Sequence, residues 1–400
     1  MAMPANRATD DTIFPWIERL LQNHPTSAVF EELAARFKRE KEYRGLFDAR
    51  LMQKRSELGL PLVSSARIGD MPNELQQAYQ DGYIQAAREV GDLILADGNI
   101  PQAWPYFRAI GDTGPIVRAL ESFDASDPDT PESREALGST IQIAFQEGLH
   151  PRKGFELILQ HHGLCRAITL FGAHPQGDAR LESLRLLVRS LHGELVTNLR
   201  RAISHAEGTA AESDSIAALI EGRDWLFDNN AQYTDSSHIA PVLELSAELE
   251  DKETLGLAVE IADYATRLDA MFQFADYPPF ERAYHDRCIY LKALLGKDID
   301  RAVQHFDEKA AAADANQVGY RPAEVLVKLL IRLGRYDDAI SRFRRYLMDA
   351  SQEELSCPTL AQLCQMAGDY TQLKQVAKEQ SDPLSYMAAL IQEATVRREV

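Results

Sequence analysis

The densest chemistry in this chain runs through Leu149-His150-Pro151-Arg152-Lys153 and then His161-His162-Gly163-Leu164-Cys165-Arg166, with His174 close behind. From His161 to His174, three imidazoles and one thiol fall within fourteen residues. On an unbroken helix His161 and Cys165 would share a face and supply half of a tetrahedral zinc site, with His162 and Arg166 on the adjacent face. Gly163 stands where it would interrupt that helix. Glu281, His285 and Asp286 offer a second half, the first two at one-turn spacing. The metal or enzymatic alternative therefore rests on His161, Cys165, His285 and Asp286, centred on His161, His162 and Cys165. Against it, a histidine beside an apolar stripe is more often a hydrogen-bonded or capping residue, and no matched ligand quartet occurs in sequence. Glu147 and His150 abut a glycine and a proline, a poor setting for a di-iron bundle. A nucleophilic Cys165 beside His162 would need exposure to activate its thiolate.

The elements that would carry these groups read as helices. Apolar residues recur at three- and four-residue intervals through nearly every stretch, as in Leu181, Leu184, Leu187, Leu191, Leu195, Leu199 and Ile203, where Asp178 stands ready as N-cap. Alternating β-branched and polar runs bounded by Asn-Gly or Asp-Gly turns do not occur, so the expected class is all-α. Ser122 to Glu132 and Glu207 to Ser215 are rich in small polar residues and read as loops, and Tyr277-Pro278-Pro279 marks a further break. These divide the chain into segments 1–121, 122–275 and 276–400.

Composition narrows the function classes. The chain has 400 residues, 45% of them hydrophobic, with 61 acidic against 43 basic side chains and a formal net charge of −18. Such a charge repels a phosphate backbone and argues against nucleic-acid binding. Cys165, Cys288, Cys357 and Cys364 are dispersed and form no CxxC pair. A reducing compartment fits them. With neither a signal-like N-terminus nor a run of about 18 apolar residues, the expectation is a cytoplasmic protein without membrane contact.

A spacing pattern recurs four times: Gly98, Ala103, Phe107; Gly296, Ala302, Phe306, with one residue inserted; Gly334, Ala339, Phe343; and Gly368, Leu373, Ala377. Eight, seven and four places before three of these glycines stand Val90, Gly91 and Ile94; Leu326, Val327 and Leu330; Leu360, Ala361 and Cys364. Before Gly296 the same count gives Cys288, Ile289 and Lys292, unless the set shifts by one to Ile289, Tyr290 and Ala293. Small residues at Gly91 and Ala361 would let paired helices approach, and the Ala-x3-Phe residues would pack into the gap. A further hairpin is suggested by Leu33, Phe37, Tyr43 and Phe47.

This pattern resembles the tetratricopeptide repeat, with its first-helix glycine and second-helix Ala-x3-Phe. Gly334 to Gly368 has the family's 34-residue period, whereas Gly296 to Gly334 is 38, and the signature tryptophan place holds Ala87, His285, Ala323 and Cys357. The resemblance covers roughly half of the chain and implies an α-solenoid of antiparallel helical hairpins wound into a right-handed superhelix. It further implies that residues at set distances before each turn glycine point into a concave groove. By position these are Asp286 and Tyr290; Arg321, Glu324, Lys328 and Arg332; and Gln362 and Gln365. Arg321, Lys328 and Arg332 would suit an acidic peptide or a chain terminus, while Glu324 and Lys328 also make an ordinary one-turn pair. The expected function is a non-catalytic scaffold that binds a protein or peptide, without cofactor, and with oligomerisation through unpaired solenoid ends as a third class.

Overall fold

A computed structural model describes residues 12–63, 73–124, 130–351 and 353–399. Every regular element among them is helical, and no strand occurs. The chain divides into two compact units, Met1–His161 and His162–Val400.

In the first unit α1 (Ile13–Asn23), α2 (Thr26–Arg39), α3 (Tyr43–Glu57), α4 (Asn73–Ala96), α5 (Ile100–Ile110), α6 (Gly114–Glu121) and α7 (Pro131–Ile141) follow one another. Each of α1 to α5 packs on its successor in sequence, as does α5 on α6. The α2–α3 pair carries the suggested early hairpin, and Phe37, Tyr43 and Phe47 lie against the core formed by Leu46, Val90, Ile94, Trp104 and Phe107. Gly91 shows why a small residue was needed. A Cβ built there would come within 2.6 Å of Phe107 Cε2, and Phe107 is wholly buried.

α8 (Pro151–Phe171) crosses the division between the units, and within it Gly163 leaves helical conformation at φ 73°, ψ −180°. The second unit begins with α9 (Asp178–Glu207), the long amphipathic helix the leucine spacing predicts, burying Leu184, Leu187, Leu191, Leu195, Leu199 and Ile203. Its N-cap is Gly177, without a side-chain cap bond, and Asp178 is the first helical residue instead. Then come α10 (Ile216–Ile220), α11 (Ser236–Leu245), α12 (Lys252–Thr266), α13 (Ala283–Leu294), α14 (Ile299–Ala312), α15 (Ala315–Val318), α16 (Arg321–Arg332), α17 (Tyr336–Tyr346), α18 (Leu360–Ala367), α19 (Tyr370–Glu379) and α20 (Pro383–Glu399). α12 packs on α13, α14 on α16, and each of α16 to α19 on its successor. Residues 208–215 form a non-helical connection, as their composition suggests, whereas part of the Ser122–Glu132 loop lies outside the described residues.

The four glycine turns are built alike. Gly98, Gly296, Gly334 and Gly368 have φ of 79°, 90°, 70° and 69°. At each, the glycine N–H donates to the carbonyl three residues back and the next N–H to the carbonyl five back, as in Gly334 to Ile331 (2.9 Å) and Arg335 to Leu330 (2.9 Å). This double bond closes a helix whose next residue must sit in the left-handed region. The second-helix pairs Ala103 and Phe107, Ala302 and Phe306, Ala339 and Phe343, and Leu373 and Ala377 are all buried. The residue inserted after Gly296 is absorbed at the N-cap of α14, where Asp298 takes a φ of 51°. In α13 the shifted set, Ile289, Tyr290 and Ala293, joins the core, while Lys292 ends on Asp263 Oδ1 at 2.6 Å.

Among the described residues no helix is long and apolar enough to cross a membrane.

Candidate functional site

α16 opens with Pro322 in its first turn and buries Ala323, Leu326, Val327, Leu329 and Leu330 in the core. A proline there costs no helical hydrogen bond, because that N–H has no acceptor within the helix anyway. Committing one side to the core leaves Arg321, Glu324, Val325 and Lys328, spaced three and four apart, along another stripe. From α13, Arg287 and Tyr290 present the same one-turn spacing. These six residues line a single hollow of about 380 Å³, closed by Phe280, Glu244, Ala247 and Ser356.

Its walls differ in character. Phe280 and Tyr290 meet edge to face at 6.1 Å and form the apolar side. Arg287 is buried above Phe280, its guanidinium carbon 4.4 Å from the ring centroid. It reaches Asp276 Oδ2 at 2.8 Å and Glu244 Oε2 at 3.5 Å, while its buried Nε has no hydrogen-bond partner. Arg321 Nη1 is held loosely, 4.0 Å from Asp276 Oδ1. On the other side Lys328 Nζ donates to Ser356 Oγ at 2.8 Å, and that hydroxyl donates to Glu324 Oε1 at 2.9 Å. Glu324 also accepts the Ser356 backbone N–H, which ties α16 to the segment before α18. Burial pushes the Tyr290 phenol up to about 12 and the adjacent Cys357 thiol up to about 11, so neither ionises near neutral pH.

Of the eight residues the repeat pattern points to, Tyr290, Arg321, Glu324 and Lys328 thus meet at one hollow. The other four do not line it. Asp286 is fully buried elsewhere and accepts from Arg282 N–H (2.9 Å), His305 Nε2 (2.8 Å) and Lys309 Nζ (3.0 Å). Arg332 donates to the carbonyls of Ala247, at 2.6 Å, and Leu249, bracing the end of α16. Gln362 closes a capping box with Thr359 at the start of α18, and Gln365 is exposed, its carbonyl accepting the Gly368 N–H. Arg287 escaped the positional count, which selects its neighbour Asp286. A one-residue shift of the count would reach Arg287 but would exchange Tyr290 for Leu291, which does not line the hollow, so no single register finds both. Glu244 and Ser356 come from distant segments and left no trace in local spacing.

The histidine cluster has other work. His150 Nδ1 accepts the Lys153 N–H at 3.3 Å, a capping contact at the start of α8. His174 is buried with Nδ1 2.9 Å from the Pro175 carbonyl and Nε2 2.9 Å from Ser183 Oγ. The break at Gly163 removes the helical register that would have set His161 and Cys165 on one face. His162 and Cys165 are exposed. Among the described residues no group of three or more His, Cys, Asp or Glu side chains could hold a metal ion. The quartet of His161, Cys165, His285 and Asp286 is therefore not assembled as a ligand set.

The chain matches no protein-family model, and no curated protein sequence is significantly similar to it.

Proposed function

We propose that the second unit is a peptide-binding scaffold of antiparallel helical hairpins, stacked as a right-handed tetratricopeptide-like solenoid, that captures an acidic side chain or chain-terminal carboxylate of a protein partner between α13 and α16. The observation that carries this reading is the convergence of Tyr290, Arg321, Glu324 and Lys328 with Arg287 on one hollow. The recurrent glycine turns and the 34-residue interval from Gly334 to Gly368 support the repeat architecture. Arg321 and Lys328 supply charge-assisted donors, and Phe280, Val325 and Tyr290 an apolar wall for the neighbouring side chain. Glu324 and Ser356 hold the Lys328 ammonium in place without neutralising Arg321.

A fluorescein-labelled peptide of alternating glutamate and leucine is the probe. Fluorescence anisotropy should report binding that weakens about tenfold or more when Arg321→Glu and Lys328→Glu are combined. The exposed Lys297→Glu should leave it unchanged. Equal binding by the double variant, or none by the native chain, overturns the proposal.

A further inference from the structure

α13 has a second functional side. His285, Ile289 and Lys292, four and three residues apart, lie on the helix face opposite Arg287 and Tyr290, because about 100° separates consecutive residues. Two cavities adjoin there, of about 480 Å³ and 160 Å³, and both are lined by His285 and Thr266. Arg282 borders the larger and Arg301, from α14, the smaller.

The acids beside them are mostly committed. Asp263 takes Lys292 Nζ at 2.6 Å and the Cys288 thiol at 3.2 Å, and Glu281 is held by Lys309. Asp298 stands exposed on the rim of the smaller cavity. Arg282 and Arg301 are both exposed, and neither guanidinium has an ion-pair partner among the described residues. Arg267, Arg287, Arg335 and Arg342 in the same unit each hold an aspartate and so present less free charge than these two. His285 lines both cavities, with Arg282 beside it in the larger and Arg301 in the smaller. Burial first, then Arg282 and, more weakly, Arg301, holds its imidazole below the usual histidine range, against the pull of Asp286. It meets a ligand as a neutral ring with one N–H to donate.

Above this basic corner the larger cavity turns apolar, with Leu268, Ala270 and the half-exposed Phe274. Its volume falls within the range of small-molecule sites, roughly 300 to 1,000 Å³. We infer that this side of α13 binds a small phosphorylated molecule, its phosphate held by Arg282, Arg301 and His285 and its apolar portion resting on Phe274 and Leu268. Two guanidinium forks and an imidazole offer more donors than the two oxygens of a carboxylate accept, and match the three terminal oxygens of a phosphate ester.

Calorimetric titration with phenyl phosphate, inorganic phosphate and benzoate tests this. Phenyl phosphate should bind about tenfold or more tightly than either of the others, since each lacks one half of what the cavity recognises. Arg282→Gln combined with Arg301→Gln should weaken phenyl phosphate about tenfold with an unchanged melting temperature. Phe274→Ser should weaken phenyl phosphate and spare inorganic phosphate. Arg321→Glu with Lys328→Glu should not alter phenyl phosphate binding, which separates this site from the peptide hollow. Absence of heat from phenyl phosphate with the native chain, benzoate binding as tightly, or full binding by the double glutamine variant overturns the inference.

Discussion

At the scale of single residues, charge in this protein is divided between holding helices and facing hollows. Asp286 and Arg332 satisfy the positional rule for a groove, yet each is spent on internal bonds, the former inside α13 and α14 and the latter on the carbonyls of Ala247 and Leu249. A buried carboxylate needs donors on every side, and Asp286 finds them within its own hairpin. His174 makes the same point with a titratable group. The Pro175 carbonyl can only accept, so Nδ1 carries the proton and Ser183 donates to Nε2 in the neutral ring. Burial chiefly, and the Arg180 charge in smaller part, depress its pKa despite the Pro175 bond. The unfolded chain therefore takes up the proton first, near histidine's usual 6.5. The stabilisation from neutral His174 is complete above that pH and is lost as pH falls through the lower folded-state value. His174→Gln should flatten the fall in urea-unfolding stability between about pH 7 and pH 5. An unchanged slope would place the responsible proton elsewhere.

At the scale of elements, hairpin closure depends on small residues where two helices touch. Gly91 on α4 faces Phe107 on α5 with no room for a side chain, and Phe107 is enclosed by Val90, Ile94, Ala103 and Trp104. Gly91→Leu should therefore cost about 3 kcal/mol in thermal unfolding, from overpacking that outweighs the gain in helix propensity. A change below about 0.5 kcal/mol would mean that the ring has somewhere to go. The glycine turns make the complementary contribution, stopping each first helix with the same pair of backbone bonds whatever the side chains around it. This is why the α13 turn is conventional although its helix buries a shifted set of residues and its successor begins one residue late.

At the scale of the molecule, the charge of −18 works against the peptide proposed for the α13–α16 hollow. Screening decides which field the peptide feels. At about 10 mM salt the Debye length is roughly 30 Å and the net negative charge reaches the ligand, whereas near 0.15 M it is about 8 Å and the local cations dominate. Association of the acidic peptide should thus speed up from about 10 mM to about 150 mM salt and slow again towards 1 M, as read by stopped-flow anisotropy. A rate that only falls with salt would show that Arg287, Arg321 and Lys328 set the field alone.

The helical class, the long leucine helix of α9, the glycine turns and the buried Ala-x3-Phe pairs were all legible in the order of residues, because each depends on contacts within one helix or between sequence neighbours. Part of the peptide hollow was legible for the same reason, since Arg321, Glu324 and Lys328 share one stripe of α16. Glu244, Phe280, Arg287 and Ser356 were placed there only by tertiary packing, which joins segments far apart in the chain and obeys no local period. The same packing turned Asp286 inward and left Arg282 and Arg301 unpaired beside His285. A helix periodicity states which residues share a side; which neighbour that side meets depends on how the other helices bury their own apolar faces.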